Sequence, residues 1–406
     1  MQVAIIGGGM ITHDQILPTL YDLQRNGVIG DISVCASRRS TVETLAAAET
    51  LLRAFPGQSF RAYPDAPGDP QPELYKQAIA DLPPRNLVVV ATPDQLHYQH
   101  IMTALRHDQH VLAVKPLVLR HAEAVEIEKE AWSRGLLVGI EYHKRFDDRA
   151  LMARRKYRAG QFGEFVLGTA CLLEKWYYRH SNFQNWCTTE NSDAFTYIGC
   201  HYVDQVHFIT GLLPVRVSVY GIVDQYPNGN SGYLWTDARV IFDNGACLNV
   251  QNALGFPDDA PGTNIQGIVM YTRGKDRGGL LAHSDTYRGL SYCYMDKADG
   301  AGGTTYAEPS PDYFQYVDLG GPGLQPVGYG YRSIANIVKK CMEVESAAPV
   351  DRAAVLRRID ETGVIATPAN SAYNELVMEA GRASILNGGR EVTIEYGERP
   401  GIRFSA

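Results

Sequence analysis

The feature that most constrains this 406-residue chain lies at its start. Val3-Ala4-Ile5-Ile6 is apolar at every position and leads straight into Gly7-Gly8-Gly9-Met10-Ile11-Thr12. A strand with no polar face must be covered on both sides, which a sheet with one wet face does not provide. Similar runs recur at residues 32–36, 86–91, 110–114 and 136–140, with helix-like stretches such as 40–54 and 97–107 between them. Buried strands separated by helices predict a doubly wound parallel sheet with helices on both faces.

The pattern changes after about residue 150. Residues 165–173, 215–223, 238–242 and 246–250 read as longer, partly alternating strands. Between the last two, Asp243-Asn244-Gly245 predicts a hairpin closed by a type I′ turn. Residues 255–330 are rich in Gly, Pro, Asp and Tyr and read as long loops with short strands, either a lid or a subunit contact. Residues 351–387 return to a helical pattern. The expected architecture is α/β followed by α+β. Residues 1–142 form a Rossmann-type domain, and residues 143–406 an α+β domain on an open, mostly antiparallel sheet.

Composition excludes several classes. Lys plus Arg is 38 and Asp plus Glu is 45, a net charge of −7, which argues against a nucleic-acid binder or an anionic-membrane binder. The seven cysteines (35, 171, 187, 200, 247, 293 and 341) include no C-x-x-C pair, so neither a disulfide framework nor a zinc site is expected. No basic segment precedes a short apolar run at the N-terminus, and no segment holds 18 uninterrupted apolar residues. The expectation is a cytoplasmic protein without a membrane span or a metal.

The glycine turn carries the first chemistry. In a G-x-G-x-x-G turn the first glycine makes the tight bend and the second lets a pyrophosphate approach the backbone at a helix N-terminus. Gly7 and Gly9 fit those positions, Met10 and Ile11 follow, and Thr12 replaces the third glycine. At the end of the second strand an NAD enzyme usually has an acid for the ribose diol. This chain reads Ala36-Ser37-Arg38-Arg39-Ser40 instead. Ser37 and the two arginines, Arg38 and Arg39, suit a 2′-phosphate, so NADP is favoured over NAD, with dual use open.

Three further motifs follow in order: Ala91-Thr92-Pro93-Asp94-Gln95-Leu96-His97, Val114-Lys115-Pro116-Leu117 and Gly199-Cys200-His201-Tyr202-Val203-Asp204. With the glycine turn and Tyr142-His143-Lys144-Arg145-Phe146-Asp147, they resemble the glucose–fructose oxidoreductase, inositol dehydrogenase and MocA family (Gfo/Idh/MocA). The resemblance implies an NAD(P)-dependent oxidoreductase acting on a sugar, cyclitol or derivative, as a homo-oligomer (dimer or tetramer) formed through the open sheet. It implies cofactor contacts from Thr92, Pro93, His97 and Lys115 as well as from the glycine turn. The family's E-K-P reads Val114-Lys115-Pro116 here, which keeps the lysine and loses the acid. The resemblance implies that Lys115 lies, as the family's lysine does, between nicotinamide ribose and substrate, where a cation would stabilise developing alkoxide.

The family's D-x-x-x-H reads Tyr197-Ile198-Gly199-Cys200-His201. His201 is then the acid–base group, with Tyr197 either on the same helix face as a substrate contact or proton relay, or a core aromatic. His143, Arg145, Lys175 and Trp176 are candidate sugar contacts, Lys175 and Trp176 within the polar–aromatic segment 174–180. Two other readings stay open: a glycosidase that oxidises and re-reduces its sugar with retained NAD, and a non-catalytic sugar or dinucleotide sensor.

Overall fold

The computed structural model describes residues 1–260, 264–274, 278–284, 291–294, 304–307 and 313–405. They fall into two compact units: residues 1–147 with 312–375, and residues 148–311 with 376–406.

The first unit is built on six parallel strands, β1 (Val3–Ile6), β2 (Ile32–Cys35), β3 (Arg61–Tyr63), β4 (Leu87–Val90), β5 (His110–Val114) and β6 (Val138–Glu141). Their order is β3-β2-β1-β4-β5-β6, and every pair is parallel. This is the doubly wound sheet expected, extended by one strand, the short β3. The order reverses between β1 and β4, which opens a crevice at the carboxyl ends of those strands. The glycine turn and Ala91-Thr92-Pro93 both leave the sheet there. Helices α1 (Leu17–Arg25), α2 (Arg39–Ala46), α3 (Glu49–Ala54), α4 (Tyr75–Ala80), α5 (His97–Arg106) and α6 (His121–Arg134) connect the strands.

The unit is not one contiguous stretch, in contrast to the expected division after residue 142. Helices α9 (Tyr329–Ser346), α10 (Arg352–Thr362) and α11 (Pro368–Ser371) belong to it, after α7 (Asp148–Arg158) and α8 (Cys200–Thr210) of the second unit. The physical reason lies in α9. Ile334, Ile337, Val338, Cys341 and Val344 recur at helical spacing and are fully buried in the same core as Ile5, Leu87 and Leu112. Gly139 of β6 has no side chain because a Cβ there would lie 2.6 Å from Ile337. Apolar area this large is worth about 1.5–3 kcal/mol per buried side chain, which draws the late helix onto the early sheet.

The second unit carries an eight-stranded sheet in the order β12-β11-β7-β10-β9-β8-β17-β18. Its members are β7 (Glu164–Lys175), β8 (Pro214–Gln225), β9 (Ser231–Phe242), β10 (Cys247–Phe256), β11 (Asn264–Arg273), β12 (Gly278–Ser284), β17 (Val392–Glu395) and β18 (Gly401–Phe404). Only β7 and β10 pair in parallel. Short β13 (Ser291–Tyr294) pairs with β14 (Thr304–Ala307), and β15 (Gln315–Val317) with β16 (Gln325–Val327). The stretch read as loop with short strands therefore contains two full members of the large sheet. The remainder of that lid-or-contact segment lies partly outside the described residues.

One face of this sheet is covered by the helical segment leading into α8 and by α12 (Tyr373–Leu386), with Leu234, Val240, Leu248 and Val250 beneath them. The other face keeps Leu167, Tyr220, Ile222, Tyr271 and Leu280 exposed. The β9–β10 hairpin forms as expected, but its turn differs. Gly245 N–H bonds Phe242 O at 2.8 Å and Phe242 N–H bonds Ala246 O at 2.9 Å, with Gly245 alone at positive φ (84°). That is a three-residue loop with a glycine bulge rather than a type I′ pair. Asn244 explains it: its side chain donates to Phe165 O and accepts from Ala246 N–H, which suits a right-handed residue there.

Candidate active site

At the carboxyl edge of the first sheet, the backbone of the glycine turn is fixed by contact. Gly7 has φ +112°, and a Cβ on it would lie 2.1 Å from Ala91 O, in the strand-end segment beside it. Gly9 is exposed with no atom within 4 Å of where a Cβ would stand, so a diphosphate has room against this backbone. Thr12, at the third glycine position, is buried and donates its hydroxyl to Gly7 O at 2.7 Å. The departure from glycine thus clamps the bend. The chain then enters the first helix through a π-helical turn, Thr12–Ile16. Met10 and Ile11 stand half-buried ahead of it. The residues present fit a dinucleotide.

At the tip of β2, Ser37 and Arg38 are exposed. Arg39 differs: it bonds Glu43 at 2.9 Å and Pro64 O at 2.9 Å. Arg38 is therefore the better placed of the two arginines for a ribose phosphate.

His97 is fully buried. Its Nδ1 lies 2.9 Å from Pro116 O and 3.1 Å from Leu117 O, and its Nε2 lies 2.8 Å from Thr92 O. The ring is occupied by carbonyls of both loops, so His97 ties Thr92-Pro93 to Lys115-Pro116 rather than offering an open donor to a cofactor. Thr92 Oγ1 also meets His100 Nδ1 at 3.1 Å. Burial pushes the His100 imidazole down to about 4. Lys115 is half-buried directly after β5, at the edge where such sheets bind ligands.

After β6, the residues expected to meet a sugar separate. Arg145 is buried, donates to Asn370 Oδ1 at 3.2 Å and to Gly363 O at 3.4 Å, and lies over the Tyr142 ring. These partners all lie within this unit. His143 is less buried and stands beside Glu141, with Nδ1 to Oε2 at 3.1 Å. Glu141 escaped the sequence reading, although a carboxylate closing an apolar run at a strand's carboxyl end is a visible signal.

In the second unit, Lys175 is held by the loop after β10. Its ammonium donates to Pro257 O (3.2 Å), Asp258 O (2.7 Å) and Ala260 O (2.8 Å) and lies over Phe256. A donor held by three carbonyls organises a loop and is not offered to a ligand; its burial lowers the lysine pKa. Trp176 is half exposed, with the Arg179 guanidinium 3.9 Å over its ring. Arg179 bonds Asp224 at 2.6 Å, and this bond holds the Asp224 carboxyl below its usual range.

Tyr197 stands among Phe183 (4.6 Å, edge-on) and Trp186 (5.7 Å). The chain is π-helical over Phe195–Gly199 before α8 begins at Cys200, so the simple four-residue spacing between Tyr197 and His201 is widened. His201 lies buried in the first turn of α8. Gly199, just before it, has a Cβ position 2.6 Å from Asn252 on β10. Only glycine lets this helix approach the sheet. Asp193 is fully buried and accepts from the Thr196 N–H at 2.8 Å and its hydroxyl at 3.0 Å, which fixes the start of the segment. Burial raises the Asp193 pKa. Among the described residues no group of three or more metal-ligating side chains is assembled, and no helix is long and apolar enough to cross a membrane.

A doubly wound parallel sheet with a glycine turn at its switch point, followed by a unit on an open mixed sheet, is the architecture of a dinucleotide-binding fold with a second domain. Residues 1–142 match the model of the GFO_IDH_MocA family, an oxidoreductase family with an NAD-binding Rossmann fold. The chain is 26% identical over 221 residues to D-glucoside 3-dehydrogenase of Escherichia coli (strain K12), covering 53% of this chain and 56% of that protein. It is 26% identical over 138 residues to scyllo-inositol 2-dehydrogenase (NADP(+)) IolW of Bacillus subtilis (strain 168), covering 34% and 38%. The matches thus span about half, or less, of these curated relatives. The fold is also that of scyllo-inositol dehydrogenase from Lactobacillus casei with bound NAD(H) and scyllo-inositol, with a TM-score of 0.62 at 13% identity over 97% of this chain and 98% of that one.

Proposed function

We propose that this chain is a cytoplasmic NAD(P)-dependent dehydrogenase or reductase. It moves a hydride between nicotinamide C4 and the secondary alcohol or ketone carbon of a sugar, cyclitol or sugar derivative. Lys115 carries the reading: an ammonium directly after β5, in a loop that His97 ties to the switch-point crevice. When bound, the dinucleotide supplies the hydride chemistry. Lys115 lowers the alcohol's pKa and stabilises its alkoxide. His201 accepts the hydroxyl proton in oxidation and returns it in reduction. Tyr197 and Trp176 are secondary candidates for sugar contact, as an edge of an aromatic cluster and a half-exposed ring. The sugar and cyclitol dehydrogenases among its relatives support the substrate class.

NADP is the favoured cofactor, because Ser37 and Arg38 stand where an acid would hold a ribose diol. The NADP-linked name of one relative agrees with this. The half-exposed apolar face of the large sheet is the surface for a second copy, giving a dimer or tetramer.

A screen of sugars and cyclitols with NADP and NAD tests the reading: reduction of either cofactor by a polyol or sugar is expected. Cleavage of an aryl glycoside without net cofactor turnover replaces it with the glycosidase reading, and ligand binding without any turnover replaces it with a sensor. Arg38→Ala should weaken NADP about tenfold and leave NAD unchanged, the loss of about one charge-assisted contact. Equal affinities for both cofactors in both proteins overturn the phosphate assignment.

A further inference from the structure

The carboxyl end of β6 holds a buried network that no motif announces. Glu141 is 3% exposed. Its Oε1 accepts from Gln15 Nε2 at 2.8 Å and from Ser333 Oγ at 2.5 Å, and its Oε2 faces His143 Nδ1 at 3.1 Å. A carboxylate only accepts, so the orientation of each partner follows. The Gln15 amide turns its nitrogen to Glu141 and to Gly330 O, and its oxygen accepts from Tyr313 OH. His143 must carry its proton on Nδ1. Tyr329 stacks on the imidazole with centroids 5.6 Å apart, and Tyr313 tilts against it at 5.0 Å, so the ring plane is fixed as well.

The position of this network matters. Val114 pairs with Glu141 in the β5–β6 ladder, so Lys115 and His143 leave the same edge of the sheet on adjacent strands. The carboxylate absent from position 114 stands one strand over. The charged groups acting on His143 include Glu141, Lys144 and Lys115, and the phenols of Tyr313 and Tyr329 lie against its ring. Burial is the largest influence on the imidazole and lowers its pKa, and the two lysines act in the same direction against Glu141. The ring is therefore neutral near pH 7, and a neutral Nδ1–H imidazole has its basic lone pair on Nε2.

We propose that Glu141 is a positioning residue of the site: its carboxylate locks the Nδ1–H tautomer of His143, which makes Nε2 an acceptor for a substrate hydroxyl beside Lys115. The two side chains then read a polyol with opposite polarity, Lys115 as donor and His143 as acceptor. This fits a substrate bearing neighbouring hydroxyls and selects against one that presents only acceptors at that position. The substrate half of the inference rests on the dehydrogenase reading; the tautomer does not.

The tautomer is read directly by two-bond ¹⁵N–¹H correlation on the full-length protein labelled in histidine, with His143 assigned by the signal lost in His143→Asn. A protonated Nδ1 and an unprotonated Nε2 are expected at pH 7.5. In Glu141→Gln the new amide nitrogen meets Nδ1, and the tautomer should invert to Nε2–H. KM for the best substrate of the screen should then rise about tenfold, the effect of about one hydrogen bond, with a smaller change in kcat and in NADP affinity. Ser333→Ala removes a different donor from the same carboxylate and should leave the tautomer as in the wild type. A wild-type His143 that is Nε2–H or doubly protonated overturns the proposal without any variant. So does a folded Glu141→Gln protein with both tautomer and KM unchanged. A wild type without dehydrogenase turnover but with the Nδ1–H tautomer overturns the functional reading and leaves the positioning role of Glu141 standing.

Discussion

Lys115 and Lys175 each stand at the end of a strand, one in each unit, in sheets of different topology. Lys115 follows β5 of a sheet whose strands all run one way, so every strand delivers its next residue to the same edge. Lys175 closes β7 of a mostly antiparallel sheet, where β7 runs against β11 on one side and with β10 on the other. In the first unit, "just after a strand" is a location. In the second, the cation is held by the loop that follows β10, the parallel neighbour of its own strand. Six parallel strands thus gather six strand ends at one edge, Lys115 among them, whereas the mixed sheet brings together the ends of β7 and β10 alone and fills that place with a loop.

The comparison breaks most visibly if Lys115 is dispensable. Lys115→Ala is expected to cost at least about a hundredfold in kcat/KM, as removal of one oxyanion donor does, with the fold intact by circular dichroism. A variant with full activity ends the assignment. Gly7→Ala comes next. The added methyl meets the carbonyl of Ala91 and needs a positive φ, so a loss on the order of 3 kcal/mol in stability is expected, with NADP binding abolished by fluorescence titration. A Gly7→Ala protein that binds NADP normally would show that the turn is not shaped by that contact.

Lys175→Met sharpens the contrast from the other side. Three carbonyls lose their donor, so unfolding should become easier by about 2 kcal/mol while sugar KM stays within about twofold. The reverse result, a tenfold KM rise at unchanged stability, would restore Lys175 as a sugar contact.

The smallest effect concerns pH. His110 is buried, with Nδ1 accepting from Leu137 N–H and Nε2 facing Glu345 at 2.8 Å. Burial lowers its pKa below the ordinary 6.5. Burial raises the Glu345 pKa, but the bonds from His110 and Arg85 win and bring it from 4.5 to about 2. Both groups bind protons more readily when unfolded. Their stability is complete above the unfolded values and is lost as pH falls, first below about 6.5 for His110, then between 4.5 and about 2 for Glu345. Urea unfolding should show stability falling by up to about 1.4 kcal/mol per pH unit below 6.5 for one proton. His110→Gln should flatten the first part of that slope, and an already flat wild-type profile would contradict the assignment.

Much of the first unit was legible because its signals are local. Val3–Ile6, the glycine turn and the later apolar runs each declare a buried parallel strand, and Lys115 follows one of them. Thr12 looked like a defect of the glycine motif, and only the fold shows its hydroxyl on Gly7 O. Glu141 and Ser333 were missed because their pairing spans 192 residues of sequence and no motif holds both. The partners that hold Arg145 and Lys175 were not legible, because a cation's partners, backbone carbonyls among them, leave no mark in composition. The hairpin at Asp243-Asn244-Gly245 was located correctly, and its turn was decided by a side-chain bond from Asn244 to a distant strand.

The late helix α9 gives the chain a particular order of assembly. A ribosome that has finished residue 147 has released all six strands of the first sheet, yet the residues that cover Gly139 and close the core around Leu112 arrive only with Ile337 and Val338. The first half of the protein must therefore wait, partly uncovered, while the second unit is synthesised in between. A fragment cut at residue 142 would carry every residue of the glycine turn and none of the helix that finishes its core.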